Sequence, residues 1–130
     1  MNIFVWILQI VLAIAFLAHG LLLLFPPAEI AALMNASLPR WFQLFLGWAE
    51  ILAAIGVTLP AMTRIHPWLV TWAAVGIMIV MVAATYYHIV RGESAVVTVI
   101  LLVMAAFVAY MRHRVIPIPV RKGVQTVSSR

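Results

Sequence analysis

The chain holds three acidic residues, four histidines and no cysteine, so its capacity for chemistry depends on where those few groups fall. Glu50 sits inside FLGWAEILAAIGVTLP, residues 45–60, a stretch otherwise almost wholly apolar and long enough to lie in hydrocarbon. An ionised side chain at the centre of a bilayer costs about 2.5–3.5 kcal/mol. Holding a glutamate neutral at pH 7 costs about 3.7 kcal/mol, from an ordinary pKa near 4.3. The two penalties are similar, and either protonation state needs a partner. Arg40 lies about 15 Å away along the same helix. His19 and His88, on the neighbouring apolar segments, are the better candidates. Side chains lean toward the N-terminus of their own helix, so in an antiparallel bundle Glu50 leans outward while His19 and His88 lean inward, and the three converge in depth. Arg91 and Glu93 join them as ionisable groups at the rim.

Composition defines the surroundings of these groups. Hydrophobic residues make up 67% of the 130 and charged residues 8%, with a mean hydropathy of +1.18. A soluble domain has about half its residues apolar and about a quarter charged. So small a core cannot hide that excess, and lipid must be the solvent for much of it. The absence of cysteine removes disulfides, thiolate nucleophiles, iron–sulfur ligation and cysteine-based zinc sites.

Four apolar segments can span a bilayer, at about residues 3–25, 41–59, 68–90 and 95–111. Each is close to the roughly 20 residues that a helix needs, and backbone groups in lipid must be bonded internally, which excludes strands. The first segment lacks a basic start and runs through LLLLF, unlike a secretory signal. The expected fold is an all-α membrane protein: a four-transmembrane-helix bundle over residues 1–114. A short helix between the first two spans, carrying Ile30, Leu33 and Met34 at helical spacing, is expected to lie flat on the interface. Residues 115–130 read as a flexible basic tail in which Pro117 and Pro119 block helix continuation. Gly92 is placed to terminate the third span.

Four spans put both termini on one side. Arg64, Arg112, Arg114, Arg121, Lys122 and Arg130 fall on that side, and only Arg40 and Arg91 on the other. Six against two places both termini in the cytoplasm of a multi-pass cell-membrane protein. A net charge of +5 beside membrane spans thus reports orientation, not nucleic-acid binding. Trp6, Trp41 and Trp68 lie near span ends as an aromatic belt does, whereas Trp48 and Trp72 lie deeper, where packing is the simpler reading.

Periodicity supports inward faces. Gln9, Leu12, Phe16 and His19 share a stripe, as do Gln43, Gly47, Glu50 and Ala54, with Gly47 and Ala54 allowing close helix approach. Met81, Thr85 and His88 share a third. Such a glutamate is a structural strut, a contact for a ligand or partner, or a proton carrier, and the residues alone do not choose. A metal held by His19, Glu50 and His88 would fit zinc or iron ligand types, but no i, i+3 or i, i+4 ligand pair supports it and no metal is assigned.

RWFQLFLGWAEILAAIGVTLP, residues 40–60, resembles the signature of DoxX-like membrane proteins: an arginine opening the second helix, a glycine, a glutamate three residues later, and a small-residue run ending in Leu-Pro. Arg40, Gly47, Glu50 and Pro60 occupy those places, and the resemblance covers roughly residues 1–114. Many relatives carry a glycine followed by Lys-Leu near the end of the first helix. Here AHGLLLLFPP has Gly20 and no lysine, so His19 stands as its substitute or the site differs. The resemblance implies a small membrane protein accessory to larger assemblies, some of them quinone-linked sulfur oxidoreductases.

Two functional expectations follow. The first is an accessory or assembly subunit of a larger membrane complex, a quinone-linked redox complex among the options, with a membrane protein or a second copy as partner. The second is a membrane-embedded site, binding or enzymatic, for a small apolar molecule such as a quinone or lipid. Glu50 and His19 would hold its polar head, and Phe16, Trp48 and Met81 would line the walls. The chain shows no flavin or nicotinamide fingerprint, which argues against a stand-alone oxidoreductase, and no cofactor is assigned.

Overall fold

The computed structural model describes residues 2–121. Five helices follow in order: α1 (Asn2–Leu24), α2 (Ala28–Ser37), α3 (Arg40–Thr63), α4 (Trp68–Val90) and α5 (Val96–Tyr110), the last continued by one π-helical turn, Met111–Val115. Four of them, counting α5 with its π turn, are long and apolar enough to cross a membrane. They pack as a ring, α1 on α3, α3 on α4, α4 on α5, and α5 back on α1.

Prolines set the joints on one side of the ring. Pro26 and Pro27 follow α1, and Pro27 and Pro39 precede the first residues of α2 and α3, where a missing N–H costs nothing. Glu29 in the first turn of α2 meets the positive end of the helix dipole. Between α4 and α5 the backbone makes a Schellman turn. Gly92 adopts φ 70, its N–H bonds the Ile89 carbonyl, and the Glu93 N–H bonds the His88 carbonyl at 2.9 Å; glycine takes this left-handed position without penalty.

Pro60 was expected to end the second span, but α3 passes through it to Thr63. Its ring is buried against the bundle, and one absent N–H in a helix otherwise bonded throughout is outweighed by packing on both sides. Arg64 then closes α3 in the left-handed conformation, φ 57.

The core runs along the ring axis. Val5, Leu12 and Phe16 of α1 meet Ala54, Val57 and Ala61 of α3, Val70, Ala74, Ile77 and Met81 of α4, and Ala105, Val108 and Ala109 of α5. Two close crossings rest on small residues. A methyl group on Gly20 would stand 2.8 Å from the Gly47 carbonyl oxygen, and one on Gly56 would stand 2.9 Å from the Ala73 Cβ. In lipid, where apolar burial adds little, such backbone approach is what binds helices together.

The stretch after α5 is not free where it is described. Ile116 and Ile118 pack against the core, and the Arg121 N–H bonds the Arg64 carbonyl at 3.1 Å. The rest of the expected tail, with Lys122 and Arg130, lies outside the described residues.

Candidate functional site

Glu50 lies on the buried stripe Gln43–Gly47–Glu50–Ala54 of α3, and its side chain is 3% exposed. Its partner is His19, whose Nδ1 lies 2.7 Å from Oε2 of Glu50. The pair spans the α1–α3 crossing directly beside Gly20 and Gly47, so the glycines bring the backbones close enough for a carboxylate and an imidazole to meet. His19 is 56% exposed, because Gly20 takes the contact position next to it and the imidazole reaches Glu50 from the edge of the crossing. A carboxylate on Nδ1 fixes the ring's orientation and leaves Nε2 as the outward nitrogen. The arrangement is an imidazole backed by a buried carboxylate, presenting its other nitrogen to the outer surface of the helix pair.

His88 does not join them. Its Nδ1 bonds Glu93 Oε2 at 2.8 Å, and Arg91 Nε donates to Glu93 Oε1 at 3.0 Å. The Schellman turn folds Glu93 back over the last turn of α4, which makes this cluster possible. The hydrogen bond from His88, then that from Arg91, holds the Glu93 carboxyl below the usual glutamate range, and the Glu93 carboxylate raises Arg91. Tyr87, absent from the sequence-based candidates, completes the rim: its hydroxyl accepts from Arg91 Nη1 at 3.1 Å and donates to the Ser37 carbonyl at 3.3 Å, tying α4 to the end of α2.

Arg40 serves the backbone. Nη1 donates to the Leu23 carbonyl at 2.8 Å and Nη2 to the Leu24 carbonyl at 2.7 Å. These are orphan acceptors at the C-terminus of α1, where a cation also meets the negative end of the dipole. One turn on, the fully buried Gln43 amide contacts the Met34 and Leu38 carbonyls and Asn35 Oδ1 at 2.8–3.2 Å. The first turn of α3 thereby fastens the ends of both preceding helices.

The expected pocket walls separate. Phe16 and Met81 are buried in the core, while Trp48 is 59% exposed on the outer face of α3. Trp72, read from sequence as packed, also faces outward.

A second polar cluster lies at the opposite end of the bundle, around Arg112 on the π turn. The residue is 5% exposed. Nε donates to Gln9 Oε1 at 2.6 Å and Nη1 to Asn2 Oδ1 at 2.8 Å, while Gln9 Nε2 donates to the Val57 carbonyl at 2.7 Å. The guanidinium also lies 5.4 Å from the Trp6 ring centre. From sequence Arg112 was counted only among the basic residues of the tail. The signal that could have found it is spacing: it falls four residues after Val108 and seven after Ala105, continuing the buried stripe of α5.

These features define a small multi-pass membrane protein with four helices able to span, a carboxylate–imidazole pair at its tightest crossing, and an arginine opening the glutamate-bearing helix. The model of the DoxX-like family matches residues 7–111, and the chain belongs to that family. Among curated proteins and among solved structures nothing matches it.

Proposed function

We propose that the protein is an accessory or assembly subunit of a larger membrane complex, and that the α1–α3 face carrying His19 is where it engages that complex. The single observation supporting this is the half-exposed imidazole. Its Nδ1 is taken by Glu50, and its outward nitrogen has no hydrogen-bond partner among the described residues. A polar group turned toward acyl chains at this depth is costly, so the surface favours an occupant that supplies a hydrogen bond there. On the side of α3 turned away from Glu50, Trp41, Phe45, Trp48, Leu52, Ile55 and Leu59 point outward at helical spacing, a continuous apolar stripe on which a partner helix can lie. On this reading α2 rests on the membrane interface, and both termini lie in the cytoplasm, as the basic count expects. A quinone-linked redox complex is among the assemblies that fit, and the low number of ionisable groups argues for a supporting role over stand-alone catalysis.

One observation favours a second reading. A carboxylate-backed imidazole is also suited to hydrogen-bond the carbonyl head of a lipophilic molecule such as a quinone. Such a ligand would lie on the outer surface at His19, since Phe16 and Met81 are inside the core and Trp48 is on the far side of α3 from Glu50.

Native mass spectrometry of protein extracted in mild detergent, beside a His19→Phe variant, tests both. A polypeptide bound to the wild type and lost in the variant supports the subunit reading. A small molecule with the same dependence supports the second. A wild type that carries neither, or a complex indifferent to His19, overturns the assignment of this face.

A further inference from the structure

The Arg112 end of the bundle has an electrostatic imbalance. The chain's three acidic residues are Glu29, Glu50 and Glu93. Glu50 is paired with His19, Glu93 with His88 and Arg91, and Glu29 starts α2 at the other end. Among the described residues the buried Arg112 guanidinium therefore meets only neutral groups, namely Gln9, Asn2, the Ile116 carbonyl and the Trp6 ring. Its Nη2 is buried with no hydrogen-bond partner among the described residues. A buried cation without a counter-charge is strongly disfavoured, and an arginine fork matches the geometry of an oxyanion.

Space for such an anion adjoins it. A cavity of about 350 Å³ is lined by Asn2, Trp6, Arg64, Arg112 and the Ile116–Pro119 stretch. Among the described residues two arginines and no carboxylate face it. A second space of about 500 Å³ shares Arg112, Pro117 and Ile118 with the first and runs along Trp68, Trp72 and Val75 of α4. The two together have the form of an amphiphile, an anionic head beside an apolar channel on the lipid-facing side.

We propose that this end of the bundle binds one anionic phospholipid, its phosphate held between Arg112 and Arg64 and an acyl chain lying along Trp68, Trp72 and Val75. The adjoining apolar channel argues for the lipid over free phosphate. The site is separate from the His19–Glu50 face and stands whether or not that face binds a partner. Anionic lipids enrich the cytoplasmic leaflet, where the basic count expects this end to lie.

The test uses the full chain, delipidated in detergent and then given phosphatidylglycerol, phosphatidylcholine or inorganic phosphate. Retained lipid is read by native mass spectrometry, and the thermal midpoint is followed in parallel. Phosphatidylglycerol should be retained at one per chain and raise the midpoint, and phosphatidylcholine should do neither. Arg112→Gln should weaken phosphatidylglycerol binding about tenfold or more, the loss of charge-assisted hydrogen bonds. Arg64 is exposed, so Arg64→Gln should keep the fold and weaken binding about fivefold; it carries the test if Arg112→Gln does not fold. Trp72→Ala should reduce lipid retention as well. Equal retention of the two lipids, or Arg64→Gln and Trp72→Ala both binding like wild type, overturns the proposal. Inorganic phosphate raising the midpoint as far as phosphatidylglycerol does would reassign the site to a free anion.

Discussion

Gly20 and Gly47 meet backbone to backbone where α1 crosses α3, so closely that a methyl group on either would stand within 3.0 Å of the other's carbonyl oxygen. His19 and Glu50 close the same crossing from one side. Geometry at this point therefore depends on two absent side chains as much as on two present ones.

Gly20→Ala or Gly47→Ala should force the helices apart, because the neighbouring atom is backbone and has nowhere to turn. The expected loss is about 1–3 kcal/mol, the usual scale of overpacking, read as a lower unfolding midpoint on titration from mild detergent into dodecyl sulfate. A wild-type midpoint in both variants would show that α1 and α3 can separate freely.

Glu50→Gln retains size and an amide able to bond His19 Nδ1, and should cost less than about 1 kcal/mol. Glu50→Ala removes the partner of a fixed imidazole and opens a gap beside it, and should cost about 1–3 kcal/mol. Comparing the two in the same unfolding assay separates shape from charge. If Gln is as damaging as Ala, the ionised carboxylate is what the crossing requires.

Arg40→Ala should free the last carbonyls of α1, at about 1.5–3 kcal/mol for the charged hydrogen bonds lost. Arg40→Lys should recover only part of this, since an ammonium cannot span the Leu23 and Leu24 oxygens as a fork does. Hydrogen exchange over Leu21–Ser37 is the readout, and equal protection in Lys and wild type would contradict the bidentate role.

The rim gives a pH dependence whose sign is set. Glu93 is held below the ordinary glutamate range by His88 and Arg91. The stabilisation of the α4–α5 turn is thus fully present above the ordinary value and lost as pH falls through the lower folded one. Amide exchange at Gly92 and Ser94 should quicken across that acid window. In Glu93→Gln the quickening should be absent, and an unchanged profile there would assign it elsewhere.

The inward stripe Gln43–Gly47–Glu50–Ala54 was readable because in lipid it is small and polar residues that mark the inside. By the same physics Trp48 and Trp72 were misjudged. A large aromatic at depth carries no burial signal when the solvent is itself apolar. Sequence named His19 and His88 alike as partners for Glu50, and only His19 meets it; its exposure depends on which residue of the pair His19–Gly20 occupies the crossing, which spacing does not resolve. Arg112 was hidden by its neighbours: a charge four residues beyond Val108 keeps the helical phase, yet it opens a run of basic residues that reads as solvated.

The clamp formed by Arg40 and Gln43 also imposes an order of assembly on the growing chain. Until the first turn of α3 has been synthesised, the Leu23 and Leu24 carbonyls of α1 lack their Arg40 partner and the Gln43 link to the end of α2 is missing, an interval of about 1–4 s at ordinary translation rates. Arrested chains truncated before Arg40, carried clear of the ribosome by a C-terminal linker, should show the end of α1 open to protease, and chains truncated beyond Glu50 on the same linker should show it closed. The first helix thus completes its fold only when its successor arrives, and the unit of insertion is a hairpin.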